Sequence, residues 1–142
     1  MNNLEKAFEQ VSSVGEYSRN YFEYLGKVLE SIDQNEINKL GDQFESDRIN
    51  NNTIFVAGNG GSAATATTMA NDIGFDIIKK TGIEKPFRIF SLVDNNSVVT
   101  AISNDVGYES IFVNQLKIHY RDKDSLIVIS ASGNSPNVLE AA

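Results

Sequence analysis

Residues Thr53-Ile54-Phe55-Val56-Ala57 form an unbroken apolar run, β-branched and aromatic, that stops at Gly58-Asn59-Gly60-Gly61-Ser62. Such a run reads as a strand buried on both faces, entering a tight glycine turn. From Ala63 to Lys80 there is no proline and no glycine before Gly74, and Ala, Met and Ile recur at helical intervals, so a helix is expected to begin at the loop. A second strand is expected over Phe87–Val93, set off by Gly82 and Pro86. Helical spacing returns at Val98, Ala101 and Ile102, and again at Ile111, Leu116 and Ile118. A third strand, Ser125–Ser130, runs into a small polar loop, Ser130-Ala131-Ser132-Gly133-Asn134-Ser135. Strands alternating with helices predict an α/β fold, a parallel sheet flanked by helices.

The N-terminal third has a different texture. Leu4, Ala7, Val11, Val14, Tyr21, Leu25, Val28 and Ile32 follow a three-and-four spacing broken only at Ser18, which predicts one helix with a narrow apolar seam. Phe8, Phe22 and Leu29 widen that stripe, so it suits either a core or a neighbouring subunit. Ile37, Leu40 and Phe44 predict a second helix, N-capped by Asp33 and closing at Asn50-Asn51-Asn52. The expected division is a helical segment over residues 1–50, concerned with oligomerisation, and a partial α/β domain over 51–142. Pro136 suits the first turn of a last helix. Three strands seldom complete a doubly wound sheet, so further C-terminal strands and a helix are expected to be missing from this sequence.

Composition narrows the function. A net charge of −7 over 142 residues, with no run of like charge, argues against a nucleic-acid partner. The absence of cysteine excludes disulfides and thiolate metal sites and suits a reducing compartment such as the cytoplasm. The first residues lack the basic and apolar regions of a signal peptide, and no stretch is long enough to span a bilayer, so no membrane partner is expected.

In parallel α/β sheets, ligands bind where strand ends lead into helix N-termini. A helix N-terminus offers unpaired N–H groups and about half a positive charge, which favours an anion. Gly58, Gly60 and Gly61 let the backbone come close, Ser62 adds a hydroxyl, and the second loop supplies Ser130, Ser132 and Ser135. Together they make a phosphate cradle without lysine. The P-loop pattern fails for want of Gly-Lys-Ser/Thr. Gly58, Gly60 and Ala63 satisfy G-x-G-x-x-G/A, but the second strand ends near Asp94, too far on for the acidic residue that a dinucleotide site needs. A turn with no ligand remains the alternative for the glycine loop. Asp94, Asn95 and Asn96, with Asn104 and Asp105, are expected at strand ends, either orienting sugar hydroxyls or capping helices. His119, the one histidine, suits a surface or packing role.

Gly58-Asn59-Gly60-Gly61-Ser62, Ser103-Asn104-Asp105-Val106-Gly107-Tyr108-Glu109 and Ser130-Ala131-Ser132-Gly133-Asn134-Ser135-Pro136-Asn137-Val138 resemble, in that order, the sugar isomerase (SIS) domain of phosphoheptose isomerases. The resemblance implies a flavodoxin-like, five-stranded parallel sheet and a homotetramer built through the N-terminal helices. It implies conversion of sedoheptulose 7-phosphate to D-glycero-D-manno-heptose 7-phosphate, toward activated heptoses of lipopolysaccharide, capsule or S-layer glycans. It also implies that Ser62, Ser130, Ser132 and Ser135 hold the phosphate and that Asn59 contacts the sugar. Asp72 falls where the family carries a catalytic Glu, and would be the base. The family's second catalytic group, a C-terminal His, falls beyond Ala142. Thr68 stands where some members have a histidine that binds zinc, so no cofactor is implied. A sugar-phosphate-binding or adaptor protein without catalysis is the alternative.

Overall fold

A computed structural model describes residues 3–9 and 11–142. They form two compact units, divided between Lys39 and Leu40.

In the first unit the single helix expected from Leu4 to Ile32 is two helices, α1 (Asn3–Glu9) and α2 (Val14–Glu30). The break is a capping box. The Ser13 hydroxyl accepts the backbone N–H of Glu16 at 3.2 Å, and the Glu16 carboxylate accepts the N–H and hydroxyl of Ser12 at 2.9 and 2.8 Å. These two bonds from Ser12 hold the Glu16 carboxyl below the usual carboxylate range. Phe8 of α1 meets Tyr17 of α2 edge-on, with ring centroids 5.3 Å apart. No residue of α2 is buried, and Phe22 and Leu29 are more than half exposed.

Helix α3 (Gln34–Asn50) starts where Asp33 accepts the Asn35 N–H at 2.8 Å, as its capping role predicts. In the second unit its residues from Leu40 onward lead into strand β1 (Thr53–Gly58), every residue of which is buried. Helix α4 (Gly61–Met69) begins directly at the glycine loop, continues through π-helical turns over Ala70–Asp76, and ends as α5 (Ile77–Thr81), where Gly82 takes the left-handed conformation. Within the π-helical stretch Gly74 lies close to β2, for a Cβ there would stand 3.2 Å from Cγ2 of Ile89.

Strand β2 (Arg88–Ser91) is shorter than the expected Phe87–Val93, because Leu92 and Val93 turn toward helix α6 (Asn96–Asp105). A 3₁₀ turn at Tyr108–Ser110, helix α7 (Ile111–His119), strand β3 (Ser125–Ile129) and helix α8 (Pro136–Ala141) follow.

The sheet has the order β2-β1-β3 and is parallel throughout, with Val56 opposite Ser91 on one side and Ile127 on the other. Central placement explains why β1 alone is buried along its whole length. Its alternate residues feed two cores. Ile54 and Val56 pack with Ala66 and Ile89 on one face, and Phe55 and Ala57 pack with Leu92, Phe112, Leu116 and Val138 on the other. The chain moves from β1 to one side for β2 and returns past β1 for β3. A doubly wound sheet therefore has its switch point between β1 and β3.

A buried carboxylate at Asp47, 1% exposed, ties α3 to the starts of β1 and β3. One of its oxygens accepts the side-chain amides of Gln43 and Asn52 at 3.0 and 3.1 Å, and the other accepts the Ser125 hydroxyl at 2.6 Å. Asp47→Ala leaves those donors without an acceptor and should cost about 2–4 kcal/mol, read as a lower urea midpoint at unchanged slope. A shift under about 1 kcal/mol would show that water replaces the carboxylate at no great cost.

Candidate functional site

The parallel pairing of β1 with β3 sets Gly58 opposite Ile129, so the glycine loop and the serine loop leave the sheet side by side. Gly58 has to be glycine. A Cβ there would stand 2.7 Å from the Ser62 Cβ and 2.9 Å from the Ser62 carbonyl, so the first turn of α4 could not fold back onto the strand end. Gly60, with φ of +54°, takes the backbone through the turn. Ser62 donates its N–H to the Asn59 carbonyl at 2.9 Å, and Ala64 donates to Gly60 at 3.1 Å, which aligns α4 with its N-terminus at the loop.

Asn59, Gly61, Ser62, Ser130, Ser132 and Ser135 line one open concavity of about 370 Å³ at this junction. The Ser130 hydroxyl oxygen lies 3.5 Å from that of Ser132 and 3.4 Å from that of Ser135, and it accepts the Gly133 N–H at 3.1 Å. Ser135 precedes Pro136 at the start of α8 but makes no capping bond, which leaves its hydroxyl to the cluster. No lining residue is charged. Hydroxyls and the N-terminus of α4 are the means this concavity has of holding an anion.

Asn59 does more than the expected contact with a ligand. Its amide pairs reciprocally with that of Asn137, each side chain donating to the other at 2.8 Å. Its oxygen also accepts the Tyr108 hydroxyl at 3.0 Å. An asparagine amide has two N–H groups, and Asn59 lines the concavity, so one remains available to a ligand. Asn137 is 1% exposed, and this pair bolts the glycine loop to the first turn of α8. Neither Asn137 nor Tyr108 was assigned a role on sequence grounds, although both fall inside the quoted motifs. The available signal was Asn137 one position after the helix-starting proline, in the helix that follows the strand neighbouring β1.

The structure does not bring the other expected residues into this concavity. Asp94 follows β2 and accepts the Thr67 hydroxyl of α4 at 2.6 Å, while Asn95 caps α6 by accepting the Val98 N–H at 3.2 Å. Both line a different cavity, on the β2 side. Asn104 and Asp105, expected at a strand end, lie instead in the last turn of α6 and are bonded to each other at 2.7 Å. The helix whose apolar spacing shows at Val98, Ala101 and Ile102 runs on through them. Asp72 is exposed on the π-helical stretch, accepts the Asn71 amide at 2.9 Å, and lines a shallow concavity with Thr65 and Thr68. His119 ends α7 and lies in the cavity beside β2.

The SIS domain family matches residues 16–142. A phosphoheptose isomerase of Rhodospirillum rubrum is 40% identical over 88 residues, covering 62% of this chain and 45% of that protein. A probable phosphoheptose isomerase of Thermoplasma volcanium is 35% identical over 120 residues, covering 84% of this chain and 60% of that protein. The chain thus spans about half the length of these curated relatives. The structure of a phosphoheptose isomerase from Neisseria gonorrhoeae superposes with a TM-score of 0.76 at 31% identity, covering 91% of this chain and 67% of that one.

The amide bolt can be tested apart from any ligand. Tyr108→Phe removes one donor to Asn59 and should cost about 1 kcal/mol, whereas Asn137→Ala removes both bonds of the pair, leaving the Asn59 N–H without its acceptor, and should cost about 2–3 kcal/mol. Thermal unfolding of both variants and of the double variant checks this, and strict additivity of the two losses would show that they do not share Asn59.

Proposed function

The chain belongs to the SIS-domain family, and from that premise we propose that it holds the phosphate site of an aldose–ketose isomerase that converts sedoheptulose 7-phosphate to D-glycero-D-manno-heptose 7-phosphate. The observation that carries the proposal is the convergence of Ser62, Ser130, Ser132 and Ser135 on one concavity beside the N-terminus of α4. Each hydroxyl can donate to a phosphate oxygen, and the helix end opposes the ester's charge. Asn59 and Gly61 border the same space, with Gly60 shaping the turn between them, and these residues would orient the sugar.

Isomerisation needs a base to take a proton from the carbon next to the carbonyl and an acid to return one to its neighbour. Asp72 is the proposed base. About 15 Å of helix rise separates it from Ser62, so the carboxylate of one chain would serve the cradle of a neighbouring copy in a homotetramer. The exposed apolar face of α2, with Phe22 and Leu29, supports assembly through the N-terminal helices. We place the enzyme in the cytoplasm, in the supply of activated heptoses for lipopolysaccharide or capsule. No helix among the described residues is long and apolar enough to cross a membrane.

A second reading is favoured by Thr68 on the face beside Asp72 and by the position of His119 outside the cradle. It is a sugar-phosphate sensor or adaptor without turnover. One experiment separates the two. The native-length protein is incubated with sedoheptulose 7-phosphate in deuterated water and followed by NMR. Isomerisation with deuterium uptake at the carbon next to the carbonyl is expected, with kcat reduced at least 100-fold in Asp72→Asn. Saturable binding with no exchange selects the sensor, and full activity of Asp72→Asn removes Asp72 from the mechanism.

A further inference from the structure

A second cavity, of about 390 Å³, opens on the β2 side of the sheet and shares no lining residue with the serine cradle. Its lining includes two polar residues that are more than nine-tenths buried, Thr53 at 7% and Gln115 at 6% exposure. Gln115 donates both amide hydrogens to backbone carbonyls, Leu92 at 2.9 Å and Ile111 at 2.8 Å, which fixes the orientation of its side chain. Among the described residues its Oε1 has no protein partner. Among the described residues no enclosed side-chain nitrogen or oxygen lacks a hydrogen bond. The unpaired Oε1 of Gln115 is therefore open to the cavity that the residue lines, and so is the Thr53 hydroxyl. A buried acceptor held in one orientation in the lining of a cavity suits a ligand that brings an N–H or O–H.

The same lining also carries charge. Arg88 and Arg121 belong to it, with His119 and one carboxylate, Asp94, which accepts the Thr67 hydroxyl, and among the described residues neither arginine is in an ion pair. Two arginines in one cavity stand out in a chain with a net charge of −7. Guanidinium groups match phosphate oxygens in a bidentate way. Phe90, a β2 residue left 54% exposed, lines the same cavity, and its ring offers a face for stacking.

We propose that this cavity binds a nucleoside monophosphate. The base stacks on Phe90 and donates to Oε1 of Gln115, and the phosphate sits between Arg88 and Arg121. A sugar phosphate would satisfy the arginines but leave the aromatic face unused, which is why the nucleotide fits better. The site is independent of the isomerase proposal, since it uses neither the cradle nor Asp72.

The test is calorimetric titration of the native-length protein with AMP, GMP, CMP and UMP, with inorganic phosphate and ribose 5-phosphate as controls. At least one nucleotide should bind saturably, and at least tenfold more tightly than either control. Arg88→Ala and Phe90→Ala should each weaken it tenfold or more at unchanged melting temperature, and saturating sedoheptulose 7-phosphate should not displace it. Binding of none of the four nucleotides overturns the proposal, whatever covers the cavity in the assembled protein. Controls that bind as tightly as the nucleotides reduce the site to a simple anion contact and overturn it too. So does nucleotide binding that both variants leave intact, or that the sugar phosphate abolishes.

Discussion

Parallel pairing of β1 with β3 is the constraint on which the site depends. Strand neighbours stand about 4.8 Å apart, so two loops that leave adjacent strands at matched register begin within reach of each other's side chains. The register sets Gly58 beside Ile129, and the reciprocal amides of Asn59 and Asn137 then close the gap with two bonds of 2.8 Å. Buried polar groups of this kind are costly when half satisfied and rigid when complete. Here the Tyr108 hydroxyl completes the pair, so the spacing of the two donor loops is set before any ligand arrives. The close approach of α4 to the end of β1, possible only with glycine at position 58, fixes the remaining side of the cradle.

A neutral cradle in an acidic chain is not a contradiction. Screening at physiological ionic strength removes most of the field beyond about 8 Å, so the net charge of −7 acts weakly at the concavity, while hydroxyl and amide donors act at contact distance. The same donors also serve structure. Ser130 accepts from Gly133 and Ser132 accepts from the Asn134 N–H at 3.2 Å, so each oxygen is oriented by the turn it belongs to, and the hydroxyl hydrogens shared among Ser130, Ser132 and Ser135 can turn to an incoming oxygen atom. Donation without formal charge suits a site that must release its ester as well as bind it.

Much of this was legible from periodicity and punctuation alone. A continuous apolar run ending in glycine gave β1 and its loop, and Pro136 marked the start of α8. The serines of both loops met as expected, because short loops on neighbouring strands have few places to go. The helix seam from Leu4 to Ile32 misled because apolar spacing is blind to capping. Ser13 and Glu16 carry the S-x-x-E signature that ends one helix and begins another, and their bonds outweigh the continuity of the stripe. The carboxylate of Asp47 was invisible for a different reason. Its partners Gln43 and Asn52 are local, but Ser125 lies 78 residues away, and only the strand order brings it near.

Strand order also decides why Asp94 and Asn95 lie apart from the serines. All three strands end toward helix-leading loops, and sequence alone does not show which of those loops are neighbours. In the order β2-β1-β3, however, the ends of β2 and β3 stand two strand spacings apart, roughly 10 Å, with the glycine loop between them. The chain reverses its winding at β1, so the helices after β1 and β2 lie on opposite faces, and the crevice opens between β1 and β3 rather than between β1 and β2. The loop after β2 is left to close its own cavity against α7. Asp94 then reaches back to Thr67 of α4, a bond that braces the helix carrying the cradle's N-terminus instead of contacting what the cradle holds.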